Sequence, residues 1–241
     1  MGRTGDNLSG MRSSHLLRGV GLVVLMTLLG AAPKDAKEAG WVNLFPDEGP
    51  PKGFHVTAWD DVSKPPPDGA KWLVKDGVLH GSEPRGTWLV SDKVYKDFEL
   101  ELDFRIGIAG NSGVGLRFPD AGDPAFDGME LQIMGPKYRG NDFVPENERT
   151  GALYQLVAPR VQVLRLEDWN HYWVTVKGSK VKIYLNGHLV QDMNMDEEKG
   201  VPKRGKAPAE RPRAGHIGFQ ELSRGGGHVE IRHARIRELG E

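Results

Sequence analysis

The sequence has 241 residues, and its 32 lysines and arginines against 33 aspartates and glutamates leave a formal net charge of −1. This balance argues against nucleic acids and anionic membranes as partners, because binding them requires a strongly basic surface. Cysteine is absent, so neither a disulfide framework nor a lipid-modified terminal cysteine is available. The 32 glycines and 16 prolines favour many tight turns over long helices.

The amino-terminal segment has the order of a secretory signal. Arg12 and Arg18 precede an apolar stretch over residues 20–29, and small residues follow at 30–32. The apolar stretch is about half of the ~20 residues that a membrane-spanning helix needs, so a retained anchor is the alternative to cleavage. We expect a signal peptide over residues 1–32, cleavage near Ala31 and a periplasmic or secreted protein that is not integral to a membrane after cleavage.

Alternating apolar and charged residues follow at 98–106, within the segment DFELELDFRI. A period of two predicts a strand with one buried face, here that of Phe98, Leu100, Leu102 and Phe104. The pair Asn186-Gly187 predicts a two-residue hairpin turn. Many short strands separated by turns predict an all-β sandwich or barrel. The alternation recurs in the segments VGLRF, MELQIM, YWVTVKG, KVKIYLNGHLV and VEIRHARIREL.

The segment GNSGVGLR, residues 110–117, raises the question of a phosphate-binding loop. A strand follows its glycines and no Lys-Ser or Lys-Thr pair is present, which argues against that function. We interpret residues 110–113 as a turn that leads into a strand. Alternation then places Arg117 on the outer face, either as a clamp for an oxygen-rich ligand or as a solvated side chain, opposite an apolar face of Val114, Leu116 and Phe118.

The segment MELQIM places Glu130 and Gln132 on one face of the next strand, about 7 Å apart at ~3.3 Å per residue. Together with Arg117 they would form a polar floor of the kind that binds sugars between aromatic walls. The proline-rich basic loop at 199–213 is either a solvated connection or a binding element. Candidate aromatic walls are Trp59, Trp72, Trp88, Tyr138 and Tyr154.

The chain resembles the 3-keto-disaccharide hydrolase domain family over about residues 41–239. This resemblance implies a concanavalin-like jelly-roll β-sandwich of two antiparallel sheets, as in lectins and laminarinase-type glucanases, with a cleft on the concave sheet. It also implies cleavage of glucosides or disaccharides whose glucose carries a ketone at carbon 3. The motifs that carry the resemblance, in family order, are KDFELELDFRI, GNSGVGLR, MELQIMG, TGALYQL, EDWNHYWVTVKGSKVKIYLNGHLVQD and GHIGFQ.

That substrate determines which groups the site must supply. The ketone acidifies the hydrogen on carbon 2, so a base can remove it, the group on carbon 1 can leave and water can add back. We expect a carbohydrate partner, no redox cofactor, and room for a divalent metal ion that would polarise the ketone. The candidate catalytic residues are Glu130, Arg117 and His216, and the candidate substrate-binding residues are Asn111, Gln132, Tyr154, Gln220 and Glu221.

The chain departs from the family pattern after Gln220. The family continues with Asp-His-Gly, whereas here Glu221, Leu222 and Ser223 follow. His216 either substitutes for the missing histidine or is structural.

The strand of Glu130 and Gln132 departs as well, because Gly135 stands where the family has an aspartate shortly afterwards. Only the first of the three acidic groups of the glucanase Glu-x-Asp-x-x-Glu pattern remains, which argues against a retaining glycosidase. The alternative function is a non-catalytic carbohydrate-binding or interaction module on the same fold.

Overall fold

The computed structural model describes residues 39–140, 144–198 and 204–240. The predicted signal peptide lies outside the described residues, so export stays a prediction. Residues from Ala39 onward form one unit. Within the described ranges, no helix has the length and apolar character needed to cross a bilayer.

The described residues form two antiparallel sheets that pack face to face, and the predicted all-β jelly-roll sandwich is confirmed. The larger sheet has the order β11-β10-β9-β6-β13-β4-β3, with β1 added against β13, and the smaller sheet has the order β2-β5-β12-β7-β8. The strands are β1 Val42–Asn43, β2 Phe54–Ala58, β3 Trp72–Lys75, β4 Val78–Gly81, β5 Thr87–Ser91, β6 Phe98–Arg105, β7 Asn111–Phe118, β8 Met129–Met134, β9 Asn170–Lys177, β10 Lys180–Leu185, β11 His188–Asn194, β12 His216–Glu221 and β13 Glu230–Glu238.

Helices are short in the described part of the chain. Helix α1 spans Pro124–Asp127, and 3-10 helices span Glu146–Glu148 and Pro208–Glu210. The predicted Asn186-Gly187 turn joins β10 to β11, and both residues have the positive φ values, 51° and 80°, of a two-residue hairpin turn.

The core lies between the sheets. Along β6 the side chains predicted to point inward have no exposed surface, namely Phe98, Leu100, Leu102 and Phe104. The charged residues between them reach the outer face. On that outer face, Glu99 and Glu101 accept hydrogen bonds from Arg237 and Arg235, their cross-strand partners on β13. The larger sheet therefore keeps one face for the core and one for solvent.

The smaller sheet differs because four of its five strands are buried on both faces. Every residue of β5, β7, β8 and β12 is buried. Loops and α1 cover the outer face of this sheet, so polar side chains there are removed from bulk water.

The predicted orientation of Arg117 is wrong, because a bulge interrupts the alternation of β7. Leu116 pairs with Ile217 and Phe118 pairs with His216, so Arg117 is an extra residue with a φ of 53°. Phe118 consequently packs on the outer face of the smaller sheet, in a cluster that includes Trp88.

The guanidinium of Arg117 is fully buried and reaches the larger sheet. It donates to the backbone oxygens of Lys96 and Gly178 and to Asp97 Oδ1, which lies 2.7 Å from Nη2. Burial lowers the pKa of Arg117 to about 10, which still leaves the group charged at neutral pH. Arg117 thus joins the two sheets and is absent from the outer face where a ligand would bind.

We predict that Arg117→Ala destabilises the protein by about 3 kcal/mol, because it leaves Asp97 without its buried partner. Urea unfolding measures the change. The matched control is Arg105→Ala, which removes a surface ion pair with Glu230 and should cost about 0–1 kcal/mol. Equal losses for the two variants would contradict a structural role for Arg117.

We predict that Leu102→Ala costs about 2–5 kcal/mol, since Leu102 has no exposed surface and its removal leaves a cavity between the sheets. The control is Leu73→Ala on β3, where the leucine is 42% exposed. The same urea titration compares them, and a loss below 1 kcal/mol for Leu102→Ala would contradict the position of the core.

Candidate functional site

A cavity of about 270 Å³ lies on the outer face of the smaller sheet. Its floor comes from three neighbouring strands, with Asn111 on β7, Gln220 on β12, and both Glu130 and Gln132 on β8. With Tyr154, which also lines the cavity, the structure brings together five of the predicted site residues. Their roles in binding or catalysis stay predictions.

Alternation and register explain how the floor forms. Core residues of β8 alternate with Glu130 and Gln132, whose cross-strand partners are Gly115 and Gly113. A methyl group on Gly113 would lie 2.1 Å from Glu130 Oε1, so a glycine is required where the carboxyl crosses β7. The glycine-rich segment is accordingly a strand whose glycines leave space for the polar side chains of the floor. The turn that we predicted at residues 110–113 lies earlier in the chain, where Gly110 N donates to Gly107 O.

Three aromatic side chains and one arginine form the walls. Trp59 and the predicted Tyr154 line the cavity, and the ring of Phe126 meets that of Tyr154 edge to face. The guanidinium of Arg204 lies over Phe126, with its central carbon 4.4 Å from the ring centroid. Arg204 belongs to the proline-rich basic loop, so the described part of that loop contributes to the cavity.

The other aromatic candidates lie elsewhere. Trp72 is buried in the core between the sheets. Trp88 is fully buried beneath the loop of Trp59, to whose backbone oxygen its indole N–H donates. Tyr138 lies beyond the end of β8 and contacts Arg85.

Glu130 is the most strongly perturbed acid of the cavity. It is 3% exposed, and its Oε1 accepts no hydrogen bond from the described residues. Burial, and secondarily the nearby Asp123, raise its pKa well above the usual value. A carboxyl of this kind is a stronger base than an exposed one once it is ionised.

Asp123 is a second acid that the sequence analysis missed. Its Oδ1 accepts a hydrogen bond from Ala125 N and caps α1, while Oδ2 accepts none and lies 3.5 Å from Arg204 Nη2. Burial raises the pKa of Asp123 to about 6. The Asp-Pro signal in the sequence predicts a helix cap, but only the packing of α1 against β7 and β8 brings this carboxyl to the cavity.

Three oxygens in the cavity are buried without a hydrogen-bond partner among the described residues, namely Glu130 Oε1, Asp123 Oδ2 and Asn111 Oδ1. Such acceptors suit the hydroxyl groups of a sugar, and they are also the oxygen ligands that a hard divalent cation prefers. In the described part of the chain, no group of three or more histidine, cysteine, aspartate or glutamate residues could hold a metal ion. A cation would therefore need the amide oxygen as well as the two carboxyls.

The structure places His216 away from the cavity. Its Nδ1 lies 2.6 Å from the backbone oxygen of Ser91, and Nε2 lies 2.5 Å from Asp120 Oδ1. Four residues separate His216 from Gln220 on the same strand, about 13 Å in an extended chain. His216 therefore does not replace a catalytic histidine beside Gln220.

Glu221 also points away from the cavity, because alternation on β12 turns it inward next to the outward Gln220. Its two carboxyl oxygens accept hydrogen bonds from Ser223 N and Val229 N, and it is fully buried against Gly81 of the larger sheet. The predicted substrate contact of Glu221 is therefore wrong. This carboxylate instead binds backbone N–H groups between the two sheets.

A larger cavity of about 410 Å³ lies at the end of β8, between Met134, Thr150 and Leu164. None of the predicted site residues lines it. The smaller cavity is the better candidate because it combines convergent polar groups, perturbed acids and aromatic walls.

Comparisons with known proteins agree with the fold and with the family resemblance. Residues 40–237 match the family model of the 3-keto-alpha-glucoside-1,2-lyase-like domain. A solved structure of a candidate glycosyl hydrolase from Parabacteroides distasonis ATCC 8503 is 26% identical, with a TM-score of 0.64 over 83% of this chain and 99% of that chain. A second one from the same organism is 23% identical, with a TM-score of 0.66 over 87% and 99%. No curated protein matches the sequence significantly.

We predict that Glu130→Gln stabilises the protein at pH 8 and less so at pH 5. Because the folded-state pKa of Glu130 is raised, the folded state holds this proton more tightly than the unfolded state, and stability falls as pH rises above about 4.3. A neutral glutamine removes that loss. Thermal unfolding should show a rise of a few degrees at pH 8, since about 1 kcal/mol corresponds to roughly 2–4 °C in a domain of this size.

The control is Glu197→Gln, at an exposed glutamate, which should leave the melting temperature unchanged at both pH values. A lower melting temperature for Glu130→Gln at pH 8 would show that the carboxylate is stabilised in the folded protein, contrary to the prediction.

Proposed function

Since the chain belongs to the family of 3-keto-alpha-glucoside-1,2-lyase-like domains, we propose that it cleaves glucosides or disaccharides whose glucose carries a ketone at carbon 3. The family is carbohydrate-active and glycosyl hydrolase-like. The observation that carries the proposal is the buried carboxyl of Glu130, which has a raised pKa and an unpartnered oxygen in a cavity of sugar-binding character.

The reaction is an elimination followed by hydration. Glu130 removes the proton from carbon 2, which the ketone has acidified, and negative charge develops on the carbon 3 oxygen. The electron pair then forms a double bond between carbons 1 and 2 as the carbon 1 oxygen bond breaks. Water adds across this double bond and yields the free 3-keto sugar. No oxocarbenium ion forms, so the paired carboxylates of a retaining glycosidase are unnecessary.

Neighbouring side chains supply the remaining groups. Asp123, with a pKa of about 6, is partly protonated near neutral pH and donates a proton to the leaving oxygen. The side-chain amides of Gln132 and Gln220 offer N–H donors to the developing enolate. If a divalent cation takes part, Glu130, Asp123 and Asn111 would hold it, and it would polarise the ketone.

A non-catalytic carbohydrate-binding module is the second candidate function. The observation that favours it is the replacement of the family's aspartate after Gln220 by Glu221. Both carboxyl oxygens of Glu221 accept hydrogen bonds from backbone N–H groups, so this residue does not supply the carboxyl of the missing aspartate. A module of this kind would bind glycan in the same cavity without turnover.

We also propose that the protein is exported. The support is the charged, apolar and small-residue order of residues 12–32. A periplasmic or secreted protein would meet its glycans outside the cytoplasm.

The test is incubation of the purified protein with a 3-keto-glucoside and measurement of the released leaving group. We predict that Glu130→Gln lowers kcat by about 10²–10⁴-fold, because the base is lost. In the unsubstituted protein, kcat/KM should fall as pH decreases through the raised pKa of Glu130, so that its acidic limb lies above the ordinary value of about 4.3.

The control is again Glu197→Gln, which should keep full activity. Glycan binding without release of the leaving group, in the unsubstituted protein, would favour the binding module. Full activity of Glu130→Gln would remove Glu130 from the mechanism.

A further inference from the structure

Three side chains that the proposed mechanism does not use meet beside the cavity, and we call them the arginine lip: Arg85, Tyr138 and Arg224. Arg85 Nε donates to the backbone oxygen of Leu222 at 2.8 Å, and Nη2 donates to Tyr138 Oη at 2.9 Å. The guanidinium of Arg224 lies over the ring of Tyr138, with its central carbon 4.9 Å from the ring centroid. Two cationic groups are thus held around one phenol.

The arginine lip borders the cavity directly. Leu222, which accepts the hydrogen bond from Arg85, lines the cavity. Gly86, next to Arg85, accepts a hydrogen bond from Trp59 N, and Trp59 lines the cavity as well. A ligand that extends past Trp59 and Leu222 therefore meets the guanidinium groups.

The charge of the lip is not compensated locally. Among the residues that the structure describes, no carboxylate oxygen lies within 4.0 Å of the guanidinium nitrogens of Arg85 or Arg224, and Arg85 Nη1 has no hydrogen-bond acceptor. The nearby carboxylate of Glu83 accepts instead from the backbone N–H of Arg85 and lies 4.0 Å from His228 Nε2. A guanidinium that is fixed in orientation but lacks an anion is suited to bind one from a ligand.

The lip lies beyond Leu222 as seen from the carboxyl of Glu130. That carboxyl lies over Gly113 on β7, whereas Leu222 N donates to Asn111 O, two residues earlier on that strand. Two residues of extended chain span about 7 Å, which already exceeds one sugar ring, and Arg85 lies further on, because it donates to Leu222 O. A group at the lip therefore belongs to the neighbouring unit of the ligand.

We propose that the arginine lip binds an acidic substituent, a carboxylate or a sulfate ester, on the sugar next to the glucose that occupies the Glu130 cavity. The preferred substrates are then acidic disaccharides, with the carboxyls of Glu130 and Asp123 at one end and the arginines at the other. The identity of the reacting ring rests on the proposed function. The preference for an anion rests on the arginine lip alone.

Calorimetric titration tests the preference on the full protein, with disaccharides that lack the ketone and therefore bind without elimination. The probes are glucosyl-glucose, glucosyl-glucuronic acid and a glucosyl-glucose with a sulfate ester on the second ring. We expect at least one acidic probe to bind about tenfold more tightly than the neutral one, the gain of one charge-assisted hydrogen bond. The difference should shrink as sodium chloride is added, and the two acidic probes show which anion is preferred.

Two variants test whether the preference for acidic disaccharides arises at the arginine lip. Arg85→Gln and Arg224→Gln should each reduce it at least threefold without changing the affinity for glucosyl-glucose. Arg224 is exposed, so its variant stays informative if Arg85→Gln disturbs the loop of Leu222. The matched control is Arg160→Gln, at an exposed arginine beside the larger sheet, which removes the same charge and should keep the preference.

Equal affinities for neutral and acidic probes, no binding of either acidic probe, or a preference that survives both lip variants would overturn the proposal. Cleavage of a neutral 3-keto-glucoside by the same sample, and its loss in Glu130→Gln, tests the proposed function separately. A result that contradicts anion binding at the arginine lip can therefore be distinguished from one that contradicts the proposed reaction.

Discussion

The burial of both faces of the smaller sheet is the constraint on which the candidate site depends. A β-sandwich needs only one buried face in each sheet, and the larger sheet has that arrangement, with ion pairs toward solvent. On the smaller sheet, loops and α1 also cover the outer face. Polar side chains on that face lose water without gaining full sets of hydrogen bonds, so the pKa of Glu130 rises and acceptor oxygens remain available to a ligand.

The bulge at Arg117 shows how one irregularity removes a charge from the outer face of the smaller sheet. Regular alternation would place a guanidinium on the outer face of the smaller sheet. The extra residue turns Arg117 toward Asp97 and the larger sheet, and it turns Phe118 outward against Trp88. One irregularity in backbone pairing thus joins the two sheets by a buried ion pair and supplies an apolar cluster on the covered face.

The charges around the cavity have a consistent arrangement. Desolvated carboxyls of Glu130 and Asp123 lie on the floor and beside α1, with Arg204 close to Asp123. The guanidinium groups of Arg85 and Arg224 lie beyond Leu222, and no carboxylate oxygen of the described residues is within 4.0 Å of them. In the proposed function, the base and the anion-binding group are thereby kept apart, which limits direct pairing between the two sets of charges that would neutralise both.

The sequence by itself determined the features that a local pattern carries. Period-two alternation identified the buried face of β6 and placed Glu130 and Gln132 on one side of β8, and Asn186-Gly187 determined the hairpin between β10 and β11. These predictions succeeded because backbone geometry fixes side-chain direction from one residue to the next. The order of the family motifs predicted the fold and the family, and both are confirmed, whereas the 3-keto substrate stays a prediction.

Only the tertiary structure decided which outward residues share the cavity. Arg117 does not lie on the outer face because the pairing of β7 with β12, a strand distant in sequence, accommodates an extra residue at this position. No local sequence pattern encodes that bulge. Asp123 joined the cavity because α1 packs onto β7 and β8, although its sequence signal is that of a helix cap. The distance of His216 from Gln220 and the inward direction of Glu221 follow from spacing and alternation on β12. Which end and which face of β12 meet the cavity is set by contacts between distant segments, so only the tertiary structure excluded these two residues.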